Sequence, residues 1–145
     1  MFFQRDHIRK GDEHYRKGNL HRAAELYLKG RSYRQAAKVY EELGEIDRAV
    51  QVYEDHGRSL KAAELLVAQD RHKDAIPRFE KAGAFRQAAE ACLEIRNFVR
   101  AGRLFEQAEM FARAAECFLK KGEIEQGVRA LERESQRLRQ RRGDA

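Results

Sequence analysis

The chain has 145 residues, 42% hydrophobic and 37% charged, with a formal net charge of +6. That is the length of one ordinary domain, with charge too dense for a membrane-spanning bundle and apolar residues too regularly spaced for a disordered tail. It has no apolar run of about 18 residues, and its start, MFFQRDHIRKGDEHYRKG, has no apolar core of signal-peptide length, so a cytoplasmic protein without membrane insertion is expected.

In chain order, the first expected element is a capping helix from about residue 3 to 17, within an N-terminal segment 1–18. A period of 13 then begins. Ala recurs at 23, 36, 49, 62, 75, 88, 101 and 114, and Gly127 is the ninth member. Four residues after each stands Tyr27, Tyr40, Tyr53, Leu66, Phe79, Cys92, Phe105, Phe118 or Leu131. Three residues before each stands Leu20, Tyr33, Ile46, Ser59, His72, Phe85, Phe98, Phe111 or Ile124. Ser59 and His72 break the apolar rule, and Leu60 is a stand-in for Ser59. Offsets of minus three, zero and plus four share one helical face, so each unit is an amphipathic helix of about ten residues.

Helix ends are marked by Gly30, Gly44, Gly57, Gly83 and Gly122, since glycine readily takes the left-handed conformation that closes a helix. Caps are expected at Asn19, Ser32, Ser59 or Asn97, with Ser32 and Gln35 at capping-box spacing. Pro77 requires its helix to start late, behind Asp74. Connections this short force neighbouring helices to run antiparallel, and a ten-residue helix needs its neighbours for stability. The last helix is expected to run from 124 to about 140 with a polar outer face, as a cap.

Alternation makes the structural unit a 26-residue hairpin. After the repeating Ala the even repeat helices always carry another Ala: Ala37, Ala63, Ala89 and Ala115. Five residues after it, beyond the first pair, odd units are acidic and even units apolar. At this point Ala36-Ala37-x-x-Tyr40-x-x-x-Gly44-x-x-x-x-Ala49-x-x-x-Tyr53 resembles the core of a tetratricopeptide (TPR) helical hairpin. The family period is 34 residues, so these hairpins are shortened by about eight. The resemblance implies an all-α, right-handed superhelical solenoid of about ten short antiparallel helices. The expected layout is the capping segment 1–18, TPR-like repeats over 19–135 as one solenoid domain, and 136–145 as a basic polar tail or the end of a capping helix.

No nucleotide-binding, nucleophile-elbow, zincin or calcium-loop motif is present, Ser occurs only at 32, 59 and 135, and Thr is absent. No catalysis, cofactor or metal is expected. His7, His14 and His21, with His56 and His72 near helix ends, read as surface or capping groups. Cys92 and Cys117 occupy apolar positions of the repeat and read as small buried hydrophobes.

Function is then expected on surfaces. By the resemblance, even repeat helices line the concave side, presenting Arg34, Lys38 and Glu41, then Leu60, Glu64 and Val67, then Arg86, Glu90 and Leu93, then Ala112, Glu116 and Leu119. Two stripes follow: acidic Glu64, Glu90 and Glu116, and apolar Tyr15, Val67, Leu93 and Leu119. Such a groove suits a partner helix or peptide with apolar anchors and basic flanks, and the alternative is a packing surface. The expected function is a non-catalytic protein–protein interaction scaffold or adaptor that binds a partner segment or docks into a larger assembly. Self-association through the solenoid ends is also expected of a repeat whose end helices lack a neighbour. The alternative is a basic repeat that binds nucleic acid or an anionic surface through Arg129, Arg133, Arg137 and Arg141, which share one face.

Overall fold

The computed structural model describes residues 1–143 as ten helices without a strand: α1 Phe2–Arg16, α2 Leu20–Lys29, α3 Tyr33–Glu42, α4 Ile46–Asp55, α5 Ser59–Ala68, α6 His72–Lys81, α7 Phe85–Glu94, α8 Phe98–Gln107, α9 Phe111–Lys121 and α10 Ile124–Gly143. The chain divides into two compact units, residues 1–69 with α1 to α5 and residues 70–145 with α6 to α10. Within each unit consecutive helices pack against one another. The fold is all-helical and compatible with a helical repeat. Residues 136–143 continue α10, and Asp144 and Ala145, the end of the expected tail, lie outside the described residues. None of the described helices is long and apolar enough to cross a membrane.

The 13-residue period sets the register of every repeat helix. The residue three before each repeating Ala is the first of its helix, from Leu20 to Ile124. These positions are mostly half-buried. The core is instead the quartet formed by the repeating residue and those one, three and four after it: Ala23, Ala24, Leu26 and Tyr27 in α2, and Ala114, Ala115, Cys117 and Phe118 in α9. Paired small residues let the helix axes approach, and the third and fourth members fill the space beside them. Both cysteines lie in this core, and burial pushes the Cys92 thiol up to about 11. Ser59 occupies its repeat position and is itself buried, whereas Leu60 is 38% exposed, so Leu60 does not stand in for it.

Each connection is two turns of chain closing at once. At 18, 31, 44, 57, 70, 83, 96, 109 and 122, always 13 apart, one residue takes a positive φ between 56° and 87°. At eight of these positions, Asp70 apart, the residue's N–H bonds back to the third carbonyl before it, as Gly44 does to Glu41 at 3.0 Å, and the next N–H reaches five back, as Glu45 does to Tyr40 at 2.9 Å. This is a Schellman closure, and its last residue is already the N-cap of the following helix. Four of the nine positions are not glycine: Arg31, Asp70, Arg96 and Glu109.

Several sequence expectations are corrected here. Gly30 is not the stop of α2, because its φ is −77° and Arg31 makes the left-handed turn. Gly30 is required by close approach: a Cβ there would lie 2.7 Å from Ile8 Cγ1 and 3.0 Å from the Gln4 carbonyl of α1. Of the expected caps only Asn97 accepts a backbone bond, from Arg100 N–H at 3.2 Å. The Ser32 hydroxyl bonds to the Gln35 side chain instead of the backbone, and Arg58 takes the N-cap position ahead of Ser59.

Pro77 does not delay its helix. α6 starts in register at His72 with Pro77 inside it, because Ala75, Ile76 and Phe79 must stay on the buried face. The Lys73 carbonyl then lacks its helical N–H partner. Pro77→Ala is expected to stabilise the second unit by about 1 kcal/mol, the worth of the regained hydrogen bond. Urea unfolding followed by circular dichroism measures this, and an unchanged midpoint would show that α6 gains nothing from the restored N–H.

The exposed side of α10 is polar at Glu125, Glu132, Gln136 and Arg139 but carries an apolar stripe beside them. Ile124, Val128, Leu131 and Leu138 are 61%, 46%, 48% and 46% exposed. Of the arginines between them, Arg133 reaches Glu106 and Arg137 reaches Glu134.

Candidate cleft of the first unit

The first unit builds its main concavity from α3, α4 and α5. Arg34, Lys38 and Glu41 lie one turn apart on α3, which puts them on one face of that helix. Lys61, Glu64, Leu65 and Ala68 do the same on α5, and Tyr53 and Arg58 close the floor and one end. The cleft so formed holds about 630 Å³. It brings together four of the residues expected from sequence: Arg34, Lys38, Glu41 and Glu64. Leu60 and Val67 are not among its walls, and Val67 is half-buried.

Its charge is unbalanced. Glu64 accepts from Lys61 at 2.7 Å, and Glu41 accepts from the Tyr53 hydroxyl at 2.7 Å. Burial, then the Glu41 carboxylate, pushes the Tyr53 phenol up to about 12, against the nearby charges of Arg34 and Arg58. Tyr53 is therefore a fixed neutral donor that keeps Glu41 occupied. Arg34, Lys38 and Arg58 are exposed and make no hydrogen bond or ion pair with any described residue. Arg58 escapes the sequence pattern because it belongs to a connection, and Tyr53 because it reads as core.

A smaller cleft of about 240 Å³ adjoins it through Lys38, lined also by Asp12, Tyr15, Tyr27, Gln35, Val39 and Glu42. Here Tyr15 donates to both carboxylate oxygens of Glu42, at 2.8 and 2.9 Å, and Tyr27 donates to Asp12 at 2.7 Å. Tyr15 is thus at a cleft wall, but with its hydroxyl committed.

In the second unit Arg86, Glu90 and Leu93 share α7, and Glu116 and Leu119 share α9. Glu90 is held by Arg86 at 3.1 Å and by Arg113 at 3.3 Å, and Leu93 is half-buried. The larger cleft of this unit, about 790 Å³, opens instead among α6, α8 and α10, lined by Glu80, Arg100, Arg103, Glu106 and Arg133 among others. Its charges largely compensate one another, with Arg100 on Glu80 at 2.8 Å and Arg133 on Glu106 at 3.4 Å. Only the acidic residue that closes most odd repeat helices hinted at this second concavity.

The basic stripe of α10 is mostly tied down as well. Arg129 pairs with Glu125 at 2.5 Å, and Arg137 reaches Glu134 at 3.0 Å and the Glu109 carbonyl at 2.7 Å. Arg133 and Arg137 also stand over the Phe111 ring, 5.9 and 5.8 Å from its centre. Their geometry docks α10 onto the α8–α9 corner. Arg141 is exposed.

The histidines do not converge. His21 lies 2.7 Å from Glu45, and His56 Nδ1 lies 2.8 Å from the Val52 carbonyl with its ring stacked on Tyr33. Among the described residues no group of three His, Cys, Asp or Glu is placed to hold a metal ion. No protein-family model matches the sequence. A comparison with curated proteins finds no match either.

Proposed function

We propose that the chain is a non-catalytic protein–protein interaction scaffold of the cytoplasm, a TPR-like repeat with shortened 26-residue hairpins. It takes a partner segment into the cleft between α3 and α5. The observation that carries this reading is the convergence of three unpaired cations, Arg34, Lys38 and Arg58, on one cleft whose carboxylates are already engaged. Leu65 and Ala68 supply a short apolar wall. An extended segment bearing carboxylates beside a small apolar side chain has the matching chemistry. The expectation of basic flanks rested on Glu64, Glu90 and Glu116, and the first two are neutralised by their own neighbours. The Arg-rich end is the weaker candidate, since Arg129, Arg133 and Arg137 are spent within the protein.

The test is fluorescence anisotropy with a labelled peptide of alternating Glu, Asp and Leu. Arg34→Glu, Lys38→Glu and Arg58→Glu together are expected to weaken binding by about tenfold or more, roughly 1.4 kcal/mol. Arg139→Glu, Arg141→Glu and Arg142→Glu make the same change in net charge on α10 and are expected to leave the affinity nearly unchanged. If the second triple weakens binding and the first does not, the cleft is the wrong site.

A further inference from the structure

The smaller cleft of the first unit, between α1 and α3, differs from the larger one in how its polar walls are used. The Tyr15 hydroxyl donates to both carboxylate oxygens of Glu42, and the Tyr27 hydroxyl donates to Asp12. The Gln35 amide reaches Asp12 at 3.5 Å while its carbonyl accepts from Ser32. Lys38 apart, every polar side chain of this wall is therefore bonded to a neighbour. An apolar side chain that covers such a wall strands no donor or acceptor. It would meet Val39 and the Tyr15 ring, which is 39% exposed, and about 240 Å³ has room for one such side chain. A carboxylate there would face Asp12 and Glu42 against the single charge of Lys38. The larger cleft has the opposite balance, with Arg34, Lys38 and Arg58 all unpaired.

We propose that the two clefts read one motif together: carboxylates held by Arg34, Lys38 and Arg58, and one branched aliphatic side chain seated between α1 and α3 against Tyr15. Lys38 is a wall of both clefts, and they flank α3. One helix diameter, about 10 Å, separates them. An extended chain covers that distance in about three residues. The inference rests on the function proposed above and adds the place of the partner's apolar residue, which the short wall of Leu65 and Ala68 would otherwise take. A basic side chain is the rival guest, drawn by Asp12 and Glu42. Both carboxylates are already bonded, however, and Lys38 stands on the same wall.

Fluorescence anisotropy of the full chain tests this with a labelled peptide whose one leucine has paired glutamates about three residues away on both sides, so that either chain direction serves. Changing that leucine to serine is expected to weaken binding by about tenfold, the worth of one buried leucine side chain. On a Tyr15→Ala chain of unchanged helicity by circular dichroism, the two peptides are expected to bind within about twofold of each other. Val39→Ala, a milder change to the same cleft, is expected to narrow the preference in the same direction. Equal binding of the two peptides to the unmodified chain overturns the inference. So does a preference for leucine that survives Tyr15→Ala in full, which would seat the residue on Leu65 and Ala68. Tighter binding when lysine replaces the leucine also overturns it and gives the small cleft to a cation. In each of these cases binding can still be lost on reversing Arg34, Lys38 and Arg58, so the failure belongs to the second cleft alone. A leucine peptide indifferent to that reversal overturns this inference and the proposed function together.

Discussion

Replacing Gly102 with alanine is expected to destabilise the second unit by about 2 kcal/mol, against the sign that helix propensity gives. Alanine in a helix interior ordinarily gains about 1 kcal/mol over glycine. At this position of α8 a Cβ would lie 2.7, 2.8 and 2.9 Å from three ring carbons of Phe118. Phe118 is 1% exposed and among the largest fully buried side chains, so its ring has no free space to enter. Overpacking of this kind typically costs about 1–3 kcal/mol. Gly127→Ala in α10 is the internal control. Its Cβ would come equally close to Leu119, 2.7 Å from Cγ and Cδ2, but Leu119 is 41% exposed and can swing outward. That variant is expected to be neutral or more stable by up to about 1 kcal/mol. Urea unfolding of both decides the matter, and a Gly102→Ala chain at least as stable as the unmodified one would sink this account of the α8–α9 contact.

Gly102 also shows why part of the fold was legible in the sequence and part was not. The spacing of Ala23 to Ala114 gave helix number and length, because only small residues fit where two axes approach, while the starts of α5 and α6 were misplaced by Ser59 and Pro77. The same spacing left the core quartet incomplete. Leu26, Val39 and Cys117 fill its third position, yet their identities vary too much to stand out beside a column of alanines. Gly102 and Gly11 take the second position because a large aromatic of the next helix, Phe118 or Tyr27, presses on them. Nothing in a single sequence says which aromatic leans on which helix.

The cleft was legible to a similar degree. One helical turn of α3 placed Arg34, Lys38 and Glu41 together, whereas the burial of Tyr53 beneath them and the arrival of Arg58 from a connection depend on how α4 returns. The acidic stripe looked like a ligand surface because spacing cannot show that Lys61 already holds Glu64 or that Arg86 and Arg113 already hold Glu90. The polar outer face expected of α10 is there only in part. Arg129, Arg133 and Arg137 are conspicuous in the sequence, yet Val128 and Leu131 stand half-open beside them, which the charge pattern alone does not show.

Arg96→Gly combined with Glu109→Gly is expected to stabilise the second unit by about 2 kcal/mol. Nine residues spaced by 13 carry the positive φ that closes each helix, and only five are glycine. A left-handed conformation costs a residue with a Cβ about 1–2 kcal/mol, of which the greater freedom of unfolded glycine returns about 0.5–1. Arg96 and Glu109, at φ 58° and 56°, bear that cost twice in one unit. Arg31, at φ 57°, bears it in the first unit, where Arg31→Gly should gain about 1 kcal/mol. The converse substitution isolates the cause. A Cβ on Gly44 or Gly83 would meet nothing within 4 Å, so Gly44→Ala and Gly83→Ala change conformational strain and no contact. Each is expected to lose about 1 kcal/mol in urea unfolding. Gains at Arg96 and Glu109 with no loss at Gly44 and Gly83 would trace the effect to the removed side chains, not the backbone. Gains and losses of matching size would mean that one backbone geometry, imposed by the period and indifferent to the residue that adopts it, closes every helix of the repeat.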